Sequence, residues 1–219
     1  MLRENLALVE EKIERACHRA GRSRSEITLV AVTKVFPAEA IHAAWALGVR
    51  DFGENYVQEF EAKYADVSML EGARFHLIGH LQSNKSRLAA EMFGTIQTVD
   101  TAKLARRLND AGKPLEVMIE VKLSEEDAKH GTAPEEIASL VEAIRGCSNL
   151  RLAGLMTMPP WSDIAEESRP YFARLRELAV KHGLGGLSMG MSHDFEAAIE
   201  EGATHIRVGT ALFGRRTKN

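Results

Sequence analysis

The chain has 219 residues, of which 45% are hydrophobic and 27% charged, a composition that gives a substantial core, and one domain is the expectation at this length, with little room for a second. A formal net charge of -3 supplies no general attraction to nucleic acid or to anionic membranes. Two cysteines, Cys17 and Cys147, are too few for a disulfide framework or a cysteine metal site, and cytoplasm is the expected setting.

Residues 2 to 20 place Leu2, Leu6, Val9, Ile13, Cys17 and Ala20 on one helical face, and Gly21 stops that helix. This opening segment lacks the continuous apolar run of a signal peptide, and no stretch of the chain is long and apolar enough for a bilayer. After it the pattern changes to short apolar runs separated by helical stretches, as expected of strands buried on both faces. TLVAVTK (28 to 34) is the first strand, followed by a helix with Pro37 in its first turn that ends at Gly48; DFGEN (51 to 55) is the second.

FHLIGH (75 to 80), TIQTVD (95 to 100) and LEVMIEVK (115 to 122) read as strands three to five, each followed by a helix. Ahead of the helix after strand five, Thr132 and Glu135 have the spacing of a capping box. LRLAGLMTM (150 to 158), GLSMGM (186 to 191) and HIRVGTALFG (205 to 214) complete eight strands. Eight strands alternating with helices imply parallel pairing, and closure removes both sheet edges, so the expected fold is a single-domain (β/α)8 TIM barrel over 1–219 with an extra helix at 1–21 packed on it. An open doubly wound sheet is the alternative. The barrel commonly takes about 250 residues but is found at roughly 200, so its loops must be short.

Reactive groups in such a barrel lie at the C-terminal strand ends. Lys34 follows the apolar run LVAVT, and burial disfavours its ammonium form, leaving the neutral amine that condensation with an aldehyde requires. A lysine merely snorkelling to solvent is the plainer alternative. Gly190 and Ser192 stand at a strand-to-helix junction, with Ser192 as the expected N-cap; its amides, with Gly209 and the Thr210 hydroxyl, suit a phosphate. Asp194 would repel that phosphate unless it turned aside.

Strand alternation points Arg207 into the barrel, where it either faces a pyridine nitrogen or pairs with Glu54 or Glu120. His76 reads as either a core histidine or part of the ligand wall. Met156, Met158, Met189 and Met191 gather at strand ends six and seven, Gln82, Asn84 and Lys85 form a polar lid or a solvated turn, and Arg215, Arg216 and Lys218 read as a solvated tail. No metal-ligand spacing, Ser/His/Asp arrangement or glycine-rich dinucleotide fingerprint is present.

VAVTK with Lys34, FGENYVQE (52 to 59), FHLIGHLQSNKSR (75 to 87), GLMTMPP (154 to 160), LSMGMSHDFEAAI (187 to 199) and IRVGTALFG (206 to 214) resemble, in order along nearly the whole chain, the pyridoxal phosphate homeostasis protein (YggS/PROSC) family. The resemblance implies a fold-type III barrel similar to the N-terminal domain of alanine racemase, without its β-rich second domain. It implies pyridoxal 5'-phosphate held as a Schiff base on Lys34, with Ser192, Gly209 and Thr210 at the phosphate, Arg207 at the pyridine nitrogen, and Asn55 and His76 in the motifs lining the ring; Met158, at the end of strand six, is a further cofactor-binding candidate by its position alone. One stretch departs from the family pattern: Glu120 and Lys122 in EVKLS replace the usual glutamine and asparagine, while Lys129 and Gly131 still fit.

A racemase or decarboxylase needs an acid or base on each reacting face, and none of Tyr56, Tyr64 or Tyr171 falls at an expected strand end. The resemblance therefore implies a carrier acting in intracellular vitamin B6 balance; a monomer, and transient contact with pyridoxal phosphate-dependent apoenzymes, are separate expectations that the resemblance does not supply. A pyridoxal phosphate-dependent amino-acid racemase or decarboxylase, and a cofactor-free Schiff-base aldolase, are the alternatives.

Overall fold

The structure is a computed structural model that describes residues 1–124 and 130–214. Eight parallel strands close in sequence order: β1 (Thr28–Val32), β2 (Asp51–Glu54), β3 (Arg74–Leu77), β4 (Thr95–Val99), β5 (Leu115–Glu120), β6 (Leu150–Met156), β7 (Gly186–Met191) and β8 (His205–Val208). Closure is made by β8 against β1, with Val30 opposite Arg207. Each run is apolar because its strand is covered on both faces, by the barrel interior and by a helical ring.

That ring contains α2 (Ala38–Ala46), α3 (Val57–Val67), α4 (Ser86–Met92), α5 (Ala102–Asn109), α6 (Ile137–Arg145), α7 (Arg169–Lys181) and α8 (Phe195–Glu200), with α9 (Thr210–Phe213) after β8. The first helix, α1 (Leu2–Arg19), buries Val9, Ile13, Ala16 and Cys17 and packs on α8 and α9. Asn5 Nδ2 donates to Leu212 O at 2.8 Å, and Arg19 pairs with Glu196 and Glu200. The extra helix therefore braces the two segments that follow β7 and β8.

Several local expectations are corrected. Strand β8 stops at Val208, since Gly209 leaves the sheet and residues 210 to 213 turn into α9 rather than prolonging the strand. Strand β1 ends at Val32, so Lys34 lies in the turn beyond it. Thr132 and Glu135 form no capping box: Ala133 precedes a 3-10 turn that starts at Pro134, and the Thr132 hydroxyl donates to Glu136. Lys129, Arg215, Arg216 and Lys218 lie outside the described residues.

Candidate functional site

Lys34, Asn55, Met158, Ser192, Arg207, Gly209 and Thr210, drawn from the ends of β1, β2, β6, β7 and β8, line one cavity of about 260 Å³ at the C-terminal mouth of the barrel. Val32, Ile78, Trp161, Met191 and His193 complete its wall. A larger cavity of about 570 Å³ opens at the opposite end, among strand starts such as Thr28, Asp51 and Thr95. The smaller one holds the convergent polar groups of a ligand site.

Lys34 is half-buried, and the backbone on either side of it is fixed. Thr33 Oγ1 donates to Glu54 Oε1 at 2.8 Å, and the Val35 N–H donates to Glu59 Oε1. Val35 has φ +62°, a left-handed conformation that costs a β-branched residue on the order of 1–3 kcal/mol and marks the turn as constrained.

Opposite, Ser192 Oγ accepts from the N–H groups of Gly209 and Ala211, each at 3.2 Å. It is therefore not the N-cap of α8, which is Asp194. The carboxylate of Asp194 turns back to accept from the Met191 N–H at 2.7 Å. Gly190 permits the tight turn: its φ is +88°, and a Cβ there would stand 2.5 Å from Ala198 Cβ.

Arg207 is 3% exposed and forms neither of the expected salt bridges. It donates to Ser188 Oγ at 2.7 Å and to Thr157 O at 2.9 Å, and burial pushes its guanidinium down to about 10, against the opposing pull of Asp194 and Glu120. Ser188 Oγ donates to Gln97 Oε1 at 2.6 Å, Gln97 Nε2 lies 3.2 Å from His76 Nδ1, and His76 Nε2 lies 2.9 Å from Asp51 Oδ1. His76 thus belongs to a chain running down the barrel interior, not to the ligand wall, where Ile78, two residues on, takes its place. Burial raises the Asp51 carboxyl, but hydrogen bonds from His76 and Arg74 outweigh it and bring it to about 2.

Sequence reasoning also missed two aromatic groups. Trp161 is 72% exposed, with its ring 5.3 Å from that of His193 at the cavity rim. Tyr56, expected away from strand ends, stands two residues past β2 and lines an adjoining cavity with Asn55 and Met158. Met156 and Met189 are core residues, whereas Met158 and Met191 face the site.

The family described as "Alanine racemase, N-terminal domain" matches residues 5–217. The pyridoxal phosphate homeostasis protein of Pseudomonas aeruginosa is 48% identical over 97% of this chain and 95% of its own length. The chain belongs to the pyridoxal phosphate homeostasis protein family. The Escherichia coli K12 member is 44% identical over 97% of this chain and 95% of its own. Among solved structures, PipY of Synechococcus elongatus PCC7942 with PLP bound superposes with a TM-score of 0.85 at 37% identity, covering 98% of this chain and all of that one. The family's barrel is the eight-stranded parallel closed fold found here. No helix among the described residues is long and apolar enough to cross a membrane.

Proposed function

We propose that this chain binds pyridoxal 5'-phosphate as a Schiff base on Lys34 and serves its homeostasis by accepting, sheltering and releasing it, without catalytic turnover. The observation that carries this reading is the convergence of Lys34, Ser192, Gly209, Thr210 and buried Arg207 on one cavity, in a family with a PLP-bound relative. The residues fit the group: an amine for its aldehyde, neutral donors for its phosphate, and a permanent cation for its ring nitrogen.

When bound, pyridoxal phosphate supplies a reactive aldehyde and an electron-withdrawing ring. Lys34 would anchor it, and Ser192, Gly209 and Thr210 would hold its phosphate. A guanidinium in the place of Arg207 keeps the ring nitrogen unprotonated, which weakens the ring as an electron sink and favours storage over carbanion chemistry. Asn55 and Met158 would bound the ring, and His76, linked to Arg207 through Gln97 and Ser188, stays outside the ligand wall.

The reading includes a monomeric single domain over 1–219 that meets apoenzymes transiently. A cytoplasmic setting accords with two buried free thiols, Cys17 and Cys147. A racemase- or decarboxylase-like enzyme is the second reading, favoured by Tyr56 beside Asn55 at the mouth. Exchange of amino-acid α-protons in deuterated water separates the two: a carrier leaves L-alanine unlabelled, whereas turnover that Lys34→Ala abolishes contradicts the carrier reading.

A further inference from the structure

Beside the Lys34 cavity lies a second one of about 430 Å³, walled by Glu120, Lys122, His80 and His130. The two share Met158, Trp161 and Met191, so they adjoin through common side chains. The volume is within the range of small-molecule sites, about 300–1,000 Å³.

Glu120 is 3% exposed, and its Oε2 has no hydrogen-bond partner among the described residues. A buried carboxyl without a partner is costly and is relieved by a cation. Burial raises it to about 7, with Asp100 adding to the rise and Arg207 opposing it. His80 is held towards its neutral form by burial and by His130, whose ring stacks on it at 3.7 Å, so it adds little positive charge near neutral pH.

Lys122 lines the same cavity two residues past Glu120, and its backbone is fixed there. Its N–H donates to Thr132 O at 2.9 Å, and the Thr132 N–H donates to Glu120 O at 2.8 Å. Gly131, with φ +118°, allows that approach, since a Cβ there would stand 2.8 Å from Lys122 N. The cavity therefore offers a buried carboxyl and a lysine amine, and it adjoins the Lys34 cavity along Met158, Trp161 and Met191.

We propose that this cavity binds a free α-amino acid, with Glu120 taking its ammonium and Lys122 its carboxylate, as the amine that displaces Lys34 from the cofactor. The inference rests on the proposed function for its exchange step. In that step the ammonium would pass one proton to Glu120, its nitrogen would bond to the aldehyde-derived carbon of the protonated Lys34 imine and hand a second proton to Lys34 Nζ, the bond from that carbon to Lys34 Nζ would break as the new imine forms, and the freed Lys34 amine would take up the proton held by Glu120. No oxidant or reductant is needed.

The test is calorimetric titration of unloaded and pyridoxal phosphate-loaded protein with L-alanine, methylamine and acetate. Glu120→Gln is expected to weaken L-alanine and methylamine by about tenfold or more and to leave acetate unchanged. Lys122→Ala is expected to weaken L-alanine and acetate but not methylamine. Cofactor loading, followed by absorbance in the same samples, stays within about twofold of the parent in both variants. Loss of loading in the parent protein would count against the Lys34 reading, whereas L-alanine affinity indifferent to Glu120→Gln overturns the amino-acid site. Carbon NMR of the unsubstituted protein supplies a check independent of folding: the Glu120 carboxyl ionises at lower pH with methylamine bound, and an unmoved titration refutes the assignment.

Discussion

Lys63 Nζ lies 2.7 Å from Glu54 Oε1, and this buried pair sits directly behind the turn that carries Lys34. The same ammonium donates to Thr33 O at 3.2 Å and Phe36 O at 3.0 Å and reaches Glu59 at 3.2 Å, so one cation from α3 ties both flanks of Lys34 to β2. Burial raises the Glu54 carboxyl, with the Lys63 and Thr33 contacts opposing it. Lys63→Met strands Glu54 without its counter-charge and is expected to cost about 3–5 kcal/mol in urea unfolding. Adding Glu54→Gln is expected to restore part of that loss, and cofactor affinity should fall in the single variant because the constrained turn at Val35 relaxes.

The interior chain from Arg207 through Ser188, Gln97 and His76 to Asp51 separates two roles that the sequence left together. His76→Phe leaves Asp51 short of one hydrogen bond and is expected to lose about 1–3 kcal/mol of stability while changing cofactor affinity by less than about twofold. Arg207→Met should instead alter the absorbance of the bound cofactor, because it removes the cation assigned to the ring nitrogen. Equal effects of the two substitutions on cofactor affinity would contradict this division.

Much of this was legible in the chain. The alternation of apolar runs and helical stretches fixes the barrel, because strands buried on both faces need no polar alternation. Lys34, Asn55, Met158, Ser192, Arg207, Gly209 and Thr210 were found at strand ends and do share one cavity. What periodicity could not show was partner choice. His76 and Ile78 have the same strand parity, and only three-dimensional register gives one to Asp51 and the other to the cavity. Likewise, Gly209 inside an apolar run gave a hint of a chain break that the run's length concealed.

Substitution at Ser192 tests the phosphate end. Its hydroxyl is held by the Gly209 and Ala211 amides. Ser192→Ala is expected to weaken pyridoxal phosphate about five- to tenfold, the value of one hydrogen bond, and to leave pyridoxal, which lacks the phosphate, nearly unaffected. Equilibrium dialysis with both ligands measures the ratio, and an equal loss for the two would remove Ser192 from the phosphate site.

Two buried groups give opposite pH responses. Glu120 is raised from 4.5 to about 7, so between those values the unfolded chain releases a proton that the folded one keeps, and stability falls as pH rises, by at most about 3 kcal/mol. His205 is lowered from 6.5 to about 4 by burial, with His76, Arg207 and Arg74 adding and Asp51 opposing, so stability falls as pH drops through that range. The two slopes offset each other in the parent protein. Glu120→Gln should expose the acid-side loss, and His205→Gln the loss toward neutral pH; denaturant midpoints from pH 4 to 8 measure both. Asp100, Arg207, Lys122, His80 and His130 also face Glu120, so the variant slopes are compared at constant ionic strength.

The most direct test of the central claim is borohydride reduction of the pyridoxal phosphate-loaded protein followed by peptide mass mapping. The account predicts one stable pyridoxyl adduct on the peptide containing Lys34, absent from Lys34→Ala. An adduct on Lys122 or another lysine with Lys34 unmodified, or no adduct at all, would contradict it.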